Sequence, residues 1–243
     1  MDYNIHYIVC FYLGHRRSVK FNNIIDNDKT YFLRKHLEFL QTCGAEITEA
    51  TFVVNGDVPK EFVEYALQNA PKNVNINIVG RKNHGFSYGA WNDVIADNIR
   101  KQNRHNYYFM IEDDYLPCRP DFYKPFVAKC TDETPFVCCK VSPSNIDSKG
   151  HPAISNGIIQ GKACELMLLK WDHIFHILEE RLSDNSYSNA YLIQTYYFIH
   201  FEKEGFGFTD VAEEYCFPFH ESINDTISYH GNTNGERLIL PLL

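Results

Sequence analysis

The chain has 243 residues and a mass of 28.3 kDa, enough to bury a core without disulfides or a structural metal. Hydrophobic residues at 44% and charged residues at 22% exclude a disordered or fibrous chain. The formal net charge of −8 argues against nucleic acid as a main partner, so an anionic ligand would need local donors or a metal.

Met1 leads almost at once into the apolar run Ile5–Leu13, which contains His6 and is too short to span a bilayer. No basic stretch and small-residue cleavage site precede it, so a first buried strand is expected rather than a signal peptide or transmembrane segment. A polar loop through His15, Arg16 and Arg17 follows. The spacing of Phe32, Leu33, Leu37 and Leu40 predicts a helix over Lys29–Thr42, with Gly44 as its stop. Thr51–Val54 reads as a second strand ending at Asn55-Gly56-Asp57. Pro59 opens a helix to about Ala70, with Phe62, Tyr65 and Ala66 on one face. Val74–Val79 is a third strand, Tyr88–Lys101 a third helix, and Tyr107–Ile111 a wholly apolar fourth strand, buried on both faces.

Strand and helix alternating three times predict an α/β fold with a mostly parallel sheet covered by helices. Beyond it the pattern is mixed. Pro120 and Asp121 start a helix, Phe136–Val141 and Cys164–Leu169 read as strands, and Ser142–Asn156 is a polar loop. Helices are expected at Trp171–Arg181 and Ala190–Lys203. An extended stretch over Phe206–Phe219 ends at His220. The tail Leu238–Leu243 is expected to dock on the domain or on a partner. The eight cysteines show no CxxC pair and no zinc-ligand spacing, and read as reduced thiols of a cytoplasmic protein.

Two segments could carry chemistry. Glu112-Asp113-Asp114 stand at the C-terminal end of the fourth strand, where ligands of open α/β sheets bind. Clustered carboxylates suit Mg²⁺ or Mn²⁺, above all when phosphates complete the shell, although an acidic turn accounts for them equally well. Between the third strand and third helix runs Arg81-Lys82-Asn83-His84-Gly85-Phe86-Ser87-Tyr88-Gly89-Ala90-Trp91-Asn92. Its small residues let backbone approach a ligand, and the helix N-terminus favours phosphate; its plain alternative is a βα loop with a tightly packed helix start.

Together these residues resemble the glycosyltransferases of the GT-A fold, particularly the inverting family-two-like enzymes. Asn83, Gly85, Gly89 and Asn92 match their Asn-x-Gly-x-x-x-Gly/Ala-x-Asn pattern, and Glu112-Asp113-Asp114 matches their DxD-type motif. Gly205 through His220 matches a late histidine that follows a glycine. The resemblance implies a single GT-A (Rossmann-like) domain over 1–243, with 1–116 binding the nucleotide sugar and 117–243 the acceptor. It implies a donor pocket in which Tyr12 stacks on the base and Asn55 and Asp57 bond its polar edge. Arg81 and Asn83 would support base or ribose, and Gly85, Glu112 and Asp113 would also bind the nucleotide sugar. Asp114 and His220 would hold Mn²⁺ or Mg²⁺ under the diphosphate. Glu112 stands where the family commonly has Asp, and Ser188-Asn189 stand where a Glu-Asp pair often supplies the catalytic base; Asp184 is the nearest carboxylate. The implied activity is hexosyl transfer from a nucleotide-diphosphate sugar, UDP-linked, to a glycan or glycoprotein hydroxyl.

Three rivals carry other chemistry. Gly85-Phe86-Ser87-Tyr88-Gly89 satisfies the G-x-S-x-G nucleophile elbow of serine hydrolases, with Asp210 or Asp225 and His220 or His230 following in order. His173, His176 and Glu180 share one helical stripe and could bind zinc, though an amphipathic helix explains the spacing without it. A non-catalytic nucleotide-sugar-binding module would bind the donor and never turn it over.

Overall fold

The computed structural model describes residues 3–15, 19–84, 86–117, 119–139, 166–172, 205–210 and 220–222. Its centre is β1 (Ile5–Phe11), seven residues buried from end to end. They are buried because β1 has parallel neighbours on both sides, β2 (Ile47–Asn55) and β4 (Tyr107–Glu112), and helices over both faces. Outside β2 runs β3 (Asn75–Arg81), also parallel, whose partly exposed residues mark it as the sheet edge. Beyond β4 the sheet turns mixed. There β7 (Leu166–Lys170) pairs antiparallel with β4 and with β6 (Phe136–Cys139), and β8 (Phe208–Asp210) closes the order β3-β2-β1-β4-β7-β6-β8.

Side chains alternate across β1 and so feed two cores. Tyr7, Val9 and Phe11 face a layer built from α1 (Val19–Asn27), α2 (Tyr31–Thr42), α3 (Lys60–Gln68) and α5 (Lys124–Lys129). Ile8 and Cys10 face α4 (Phe86–Lys101), whose Tyr88, Trp91 and Ile95 cover the other side. Phe11 sets edge-to-face contacts with Phe52 and Phe62 at 5.6 and 5.1 Å between ring centres. Each such pair adds about 0.5–1.5 kcal/mol beyond its buried area.

The alternating strands and helices of the first half follow the sequence closely. The exceptions have physical causes. Helix α1 replaces part of the expected loop, because Phe21 and Ile25, one turn apart, insert into the core, with Phe21 stacked on Phe32 at 5.0 Å. Asp113 and Asp114 do form a turn, but a strand follows it: β5 (Tyr115–Pro117) pairs antiparallel with β9 (His220–Ser222) in a separate ribbon. The helix expected from Pro120 and Asp121 begins only at Lys124. Cys10, Cys43, Cys130 and Cys138 form no disulfide, with Cys10 and Cys138 buried in strands as expected. No helix among the described residues is long and apolar enough to cross a membrane. The loop Ser142–Asn156, nearly all of the two later helices, the tail, and the His173, His176 and Glu180 stripe lie outside the described residues.

Candidate functional site

The strand order reverses at β1: the chain moves to β2 and β3 on one side, then crosses to β4 on the other. Such a switch point opens a crevice beyond the C-terminal ends of the two diverging strands. Tyr12 follows β1 and the acidic triplet ends β4, so both sit at this crevice. Asp113 binds its walls together. Its backbone N–H donates to the Cys10 carbonyl at 3.0 Å, and its carboxylate Oδ2 accepts the Tyr12 backbone N–H at 3.0 Å.

Asp113 is also held from beneath. His36 Nε2–H donates to its carbonyl oxygen at 3.0 Å, and the Tyr7 hydroxyl donates to His36 Nδ1 at 2.8 Å. These two bonds fix the tautomer. Burial pulls the imidazole down to about 4, so His36 is neutral and holds the turn by hydrogen bonding alone. Glu112 accepts the Ser87 hydroxyl at 2.5 Å, which ties β4 to the first turn of α4. Asp114 is wholly buried just beyond. The β5–β9 register sets His220 opposite Pro117, three residues after Asp114, so the late histidine's backbone returns to the acidic turn.

The other wall is a loop held by one guanidinium. Arg81 donates from Nη1 to Asn55 Oδ1 at 2.6 Å, from Nη2 to the His84 carbonyl at 2.8 Å and from Nε to Asp93 at 2.7 Å. Asn55 in turn donates to the Phe86 carbonyl at 3.0 Å and to Cys10 Sγ at 3.2 Å. Asn55 and Arg81 thus shape the loop through bonds to protein atoms. Phe86 is held in the left-handed region at φ 53° with its ring 61% exposed, a conformation costing on the order of 1 kcal/mol for a non-glycine residue. Gly89 permits the close approach of helix to loop: a Cβ there would lie 2.1 Å from the His84 carbonyl oxygen.

The structure therefore gathers Tyr12, Asn55, Arg81, Glu112, Asp113 and Asp114 at one end of the sheet, with the exposed Asp57 and Asn83 on the loops beside them. Gly85 and Asp184 lie outside the described residues, as does the His220 side chain. Ser87 is buried in α4 with its hydroxyl on Glu112, not raised on a sharp turn as a nucleophile elbow requires.

Sequence reasoning missed two groups. His36 reads as an ordinary helix residue, and nothing in its spacing announces a partner 77 positions away. His6, Glu49 and His105 meet at the opposite, N-terminal end of the strands, and only the register of β1 against β2 and β4 unites them.

No family model matches this sequence, and neither does any curated protein. Solved structures do resemble it. One is a Bacillus anthracis protein assigned as a glucose-1-phosphate thymidylyltransferase, in complex with a sucrose, at 10% identity and TM-score 0.56, covering 85% of this chain and 86% of that one. Another is a Desulfovibrio desulfuricans protein assigned as a nucleotide-diphospho-sugar transferase, at 6% identity and TM-score 0.50, covering 85% and 78%. A Pyrobaculum calidifontis mannosyltransferase in complex with GDP-Man and Mn²⁺ matches at 14% identity with a TM-score of only 0.42; 78% of this chain spans about half, 51%, of it. At these identities the likeness establishes the fold: a Rossmann-like, GT-A-like α/β sheet shared with proteins of the nucleotide-sugar transferase and nucleotidyltransferase type.

Proposed function

We propose that this chain is a metal-dependent glycosyltransferase, binding a nucleotide-diphosphate sugar in the β1/β4 crevice and passing the sugar to a hydroxyl of a glycan or glycoprotein. The observation that carries the reading is the Asp113 carboxylate bonded to the Tyr12 backbone at the switch point, with Asp114 buried beside it. That arrangement holds an oxygen-donor cluster rigidly where open α/β sheets bind nucleotides.

Asp114 and His220 would hold Mn²⁺ or Mg²⁺, and the carboxylate chemistry of the acidic turn fits such hard cations. When bound, the ion neutralises diphosphate charge as the nucleotide departs. The chain's own residues do the rest. Tyr12 offers its ring to the base, and Asp57 and Asn83 offer polar edges to base or ribose. Asn55 and Arg81 hold the Phe86 and His84 carbonyls, and Gly85 would offer its backbone to the donor. Glu112, braced by Ser87, stands between loop and metal side. Asp184 is our candidate for the base that takes the acceptor proton. Residues 1–116 would form the donor half and 117–243 the acceptor half of one domain, with UDP as the nucleotide and inversion as the outcome.

The test is calorimetry of UDP and UDP-sugars with Mn²⁺ and with EDTA, followed by nucleotide release in the presence of glycan acceptors. Metal-dependent binding, and turnover abolished in Asp114→Asn but retained in Ser87→Ala, is the expected result. Equal affinity in EDTA, or a dead Ser87→Ala beside an active Asp114→Asn, overturns it. Formation of nucleotide sugar from a nucleoside triphosphate and a sugar phosphate would reassign the site to nucleotidyl transfer, the chemistry ascribed to the Bacillus neighbour.

A further inference from the structure

We propose that His6, Glu49 and His105 form a zinc-type metal site at the N-terminal end of the sheet, separate from the donor crevice and reached through a groove beside α4. His6 to Phe11 spans five strand residues, which separates the two ends of β1 by about 17 Å. A cation here is not the one under a donor diphosphate.

The geometry suits a small, nitrogen-preferring ion. His105 Nε2 lies 3.3 Å from Glu49 Oε2, His6 Nε2 lies 3.9 Å from Glu49 Oε1, and all three ligand atoms fall within 4.8 Å of one another. Zinc bonds of ~2.0–2.2 Å put adjacent tetrahedral ligand atoms ~3.3–3.6 Å apart, so each imidazole need move only a few tenths of an ångström relative to Glu49, and the two imidazoles at most about 1–1.5 Å relative to each other. Two imidazoles and one carboxylate select Zn²⁺ and its neighbours over Mg²⁺ or Mn²⁺, which prefer all-oxygen shells.

The surroundings are those of a supported ligand set. Asn77 and Asn103 donate one amide to each Glu49 oxygen, at 2.8 and 2.9 Å, and so aim the carboxylate. The Asn98 side-chain amide lies 2.7 Å from His6 Nδ1. With its oxygen turned to the ring it accepts Nδ1–H and leaves the Nε2 lone pair facing Glu49, the arrangement that orients metal-bound histidines. Among the described residues no lysine or arginine pairs with Glu49, so its charge is compensated only by imidazoles and amides. His105 is only 4% exposed, so its Nε2 meets Glu49 away from bulk solvent.

Entry is open. A cavity of about 570 Å³ lies between β3 and α4, and Glu49, Thr51, Asn98 and Asn103 are among the residues lining it. The Thr51 hydroxyl, 2.8 Å from His6 Nε2, marks the position an incoming ion would take over.

The experiment uses the full chain after chelator stripping, with Co²⁺ as the spectroscopic probe and Zn²⁺ as competitor. The expected result is one Co²⁺ per chain with the strong visible absorption of a four-coordinate ion, displaced by one equivalent of Zn²⁺. Affinity should fall more than about 100-fold in Glu49→Gln and His105→Gln, 10–100-fold in Asn98→Leu, and not at all in Asp114→Asn. Weak six-coordinate absorption, no stoichiometric uptake, or loss in Asp114→Asn with retention in Glu49→Gln each overturns the proposal. Should the ligand variants fail to fold, the wild-type spectrum and stoichiometry alone decide.

Discussion

Replacing Gly89 with alanine tests whether the loop–helix approach is as tight as the geometry states. Two effects oppose one another. Gly89 is the fourth residue of α4, where alanine is favoured over glycine by up to about 1 kcal/mol. Against that, the new Cβ would stand 2.1 Å from the His84 carbonyl oxygen and 3.1 Å from its carbon, where about 3.2 Å is the nearest comfortable approach. Backbone cannot rotate away as a flexible side chain would, so the loop must retreat by about 1 Å. That retreat strains the 2.8 Å bond from Arg81 to the same carbonyl, a charge-assisted bond worth about 1.5–3 kcal/mol. With overpacking at about 1–3 kcal/mol, the clash wins and the net loss is about 2 kcal/mol. A domain of this size should then melt about 4–8 °C lower. Urea denaturation with an unchanged slope is the assay. A variant as stable as the wild type, or more stable by the helix-propensity increment, refutes the close approach.

Three further outcomes are expected. His36 titrates at about 4 when folded and about 6.5 when unfolded, so the unfolded chain binds more protons between those values. Its contribution is whole above pH 6.5 and is lost as pH falls through 4, to the extent of about 3 kcal/mol; pH-dependent melting of wild type against His36→Gln should differ in that window, and parallel curves would count against it. Phe86→Gly should relieve the φ of 53° at little or no cost in stability, and a variant clearly less stable than the wild type by urea denaturation would count against strain at that position. Asp184→Asn should leave donor affinity intact and lower turnover by about a hundredfold or more, and near-normal turnover would dismiss it as the base.

What could be read from the sequence follows from the range of the interactions concerned. The parallel half-sheet was legible because burial on both faces writes continuous apolar runs such as Tyr107–Ile111, and helices write a 3.6-residue period. Helix α1 was not, because it is short and, among its described side chains, only the hydrophobics Phe21 and Ile25 are deeply buried. The acidic turn was visible as three adjacent carboxylates. Their division of labour was not, since Asp113 is defined by Tyr12 across 101 positions and Glu112 by Ser87 across 25. Asn55 and Arg81 likewise read as ligand-binding groups, and only the fold reveals how many of their hydrogen bonds end on protein atoms.

That division explains how one sheet can carry two chemically distinct ends. In parallel strands every C-terminus points the same way, so polar residues ending β1, β2, β3 and β4 converge without further design. The same parallelism gathers whatever polar residues begin those strands, and here they are His6, Glu49 and the His105 that precedes β4. Most proteins fill such a buried strand origin with apolar side chains. Keeping two imidazoles and a carboxylate there costs desolvation that three amides and one hydroxyl offset only in part. Oxygen donors at one end and imidazoles at the other suit different classes of cation. Stabilisation by Mn²⁺ that requires nucleotide, and stabilisation by Zn²⁺ that does not, would be the thermodynamic signature of that separation.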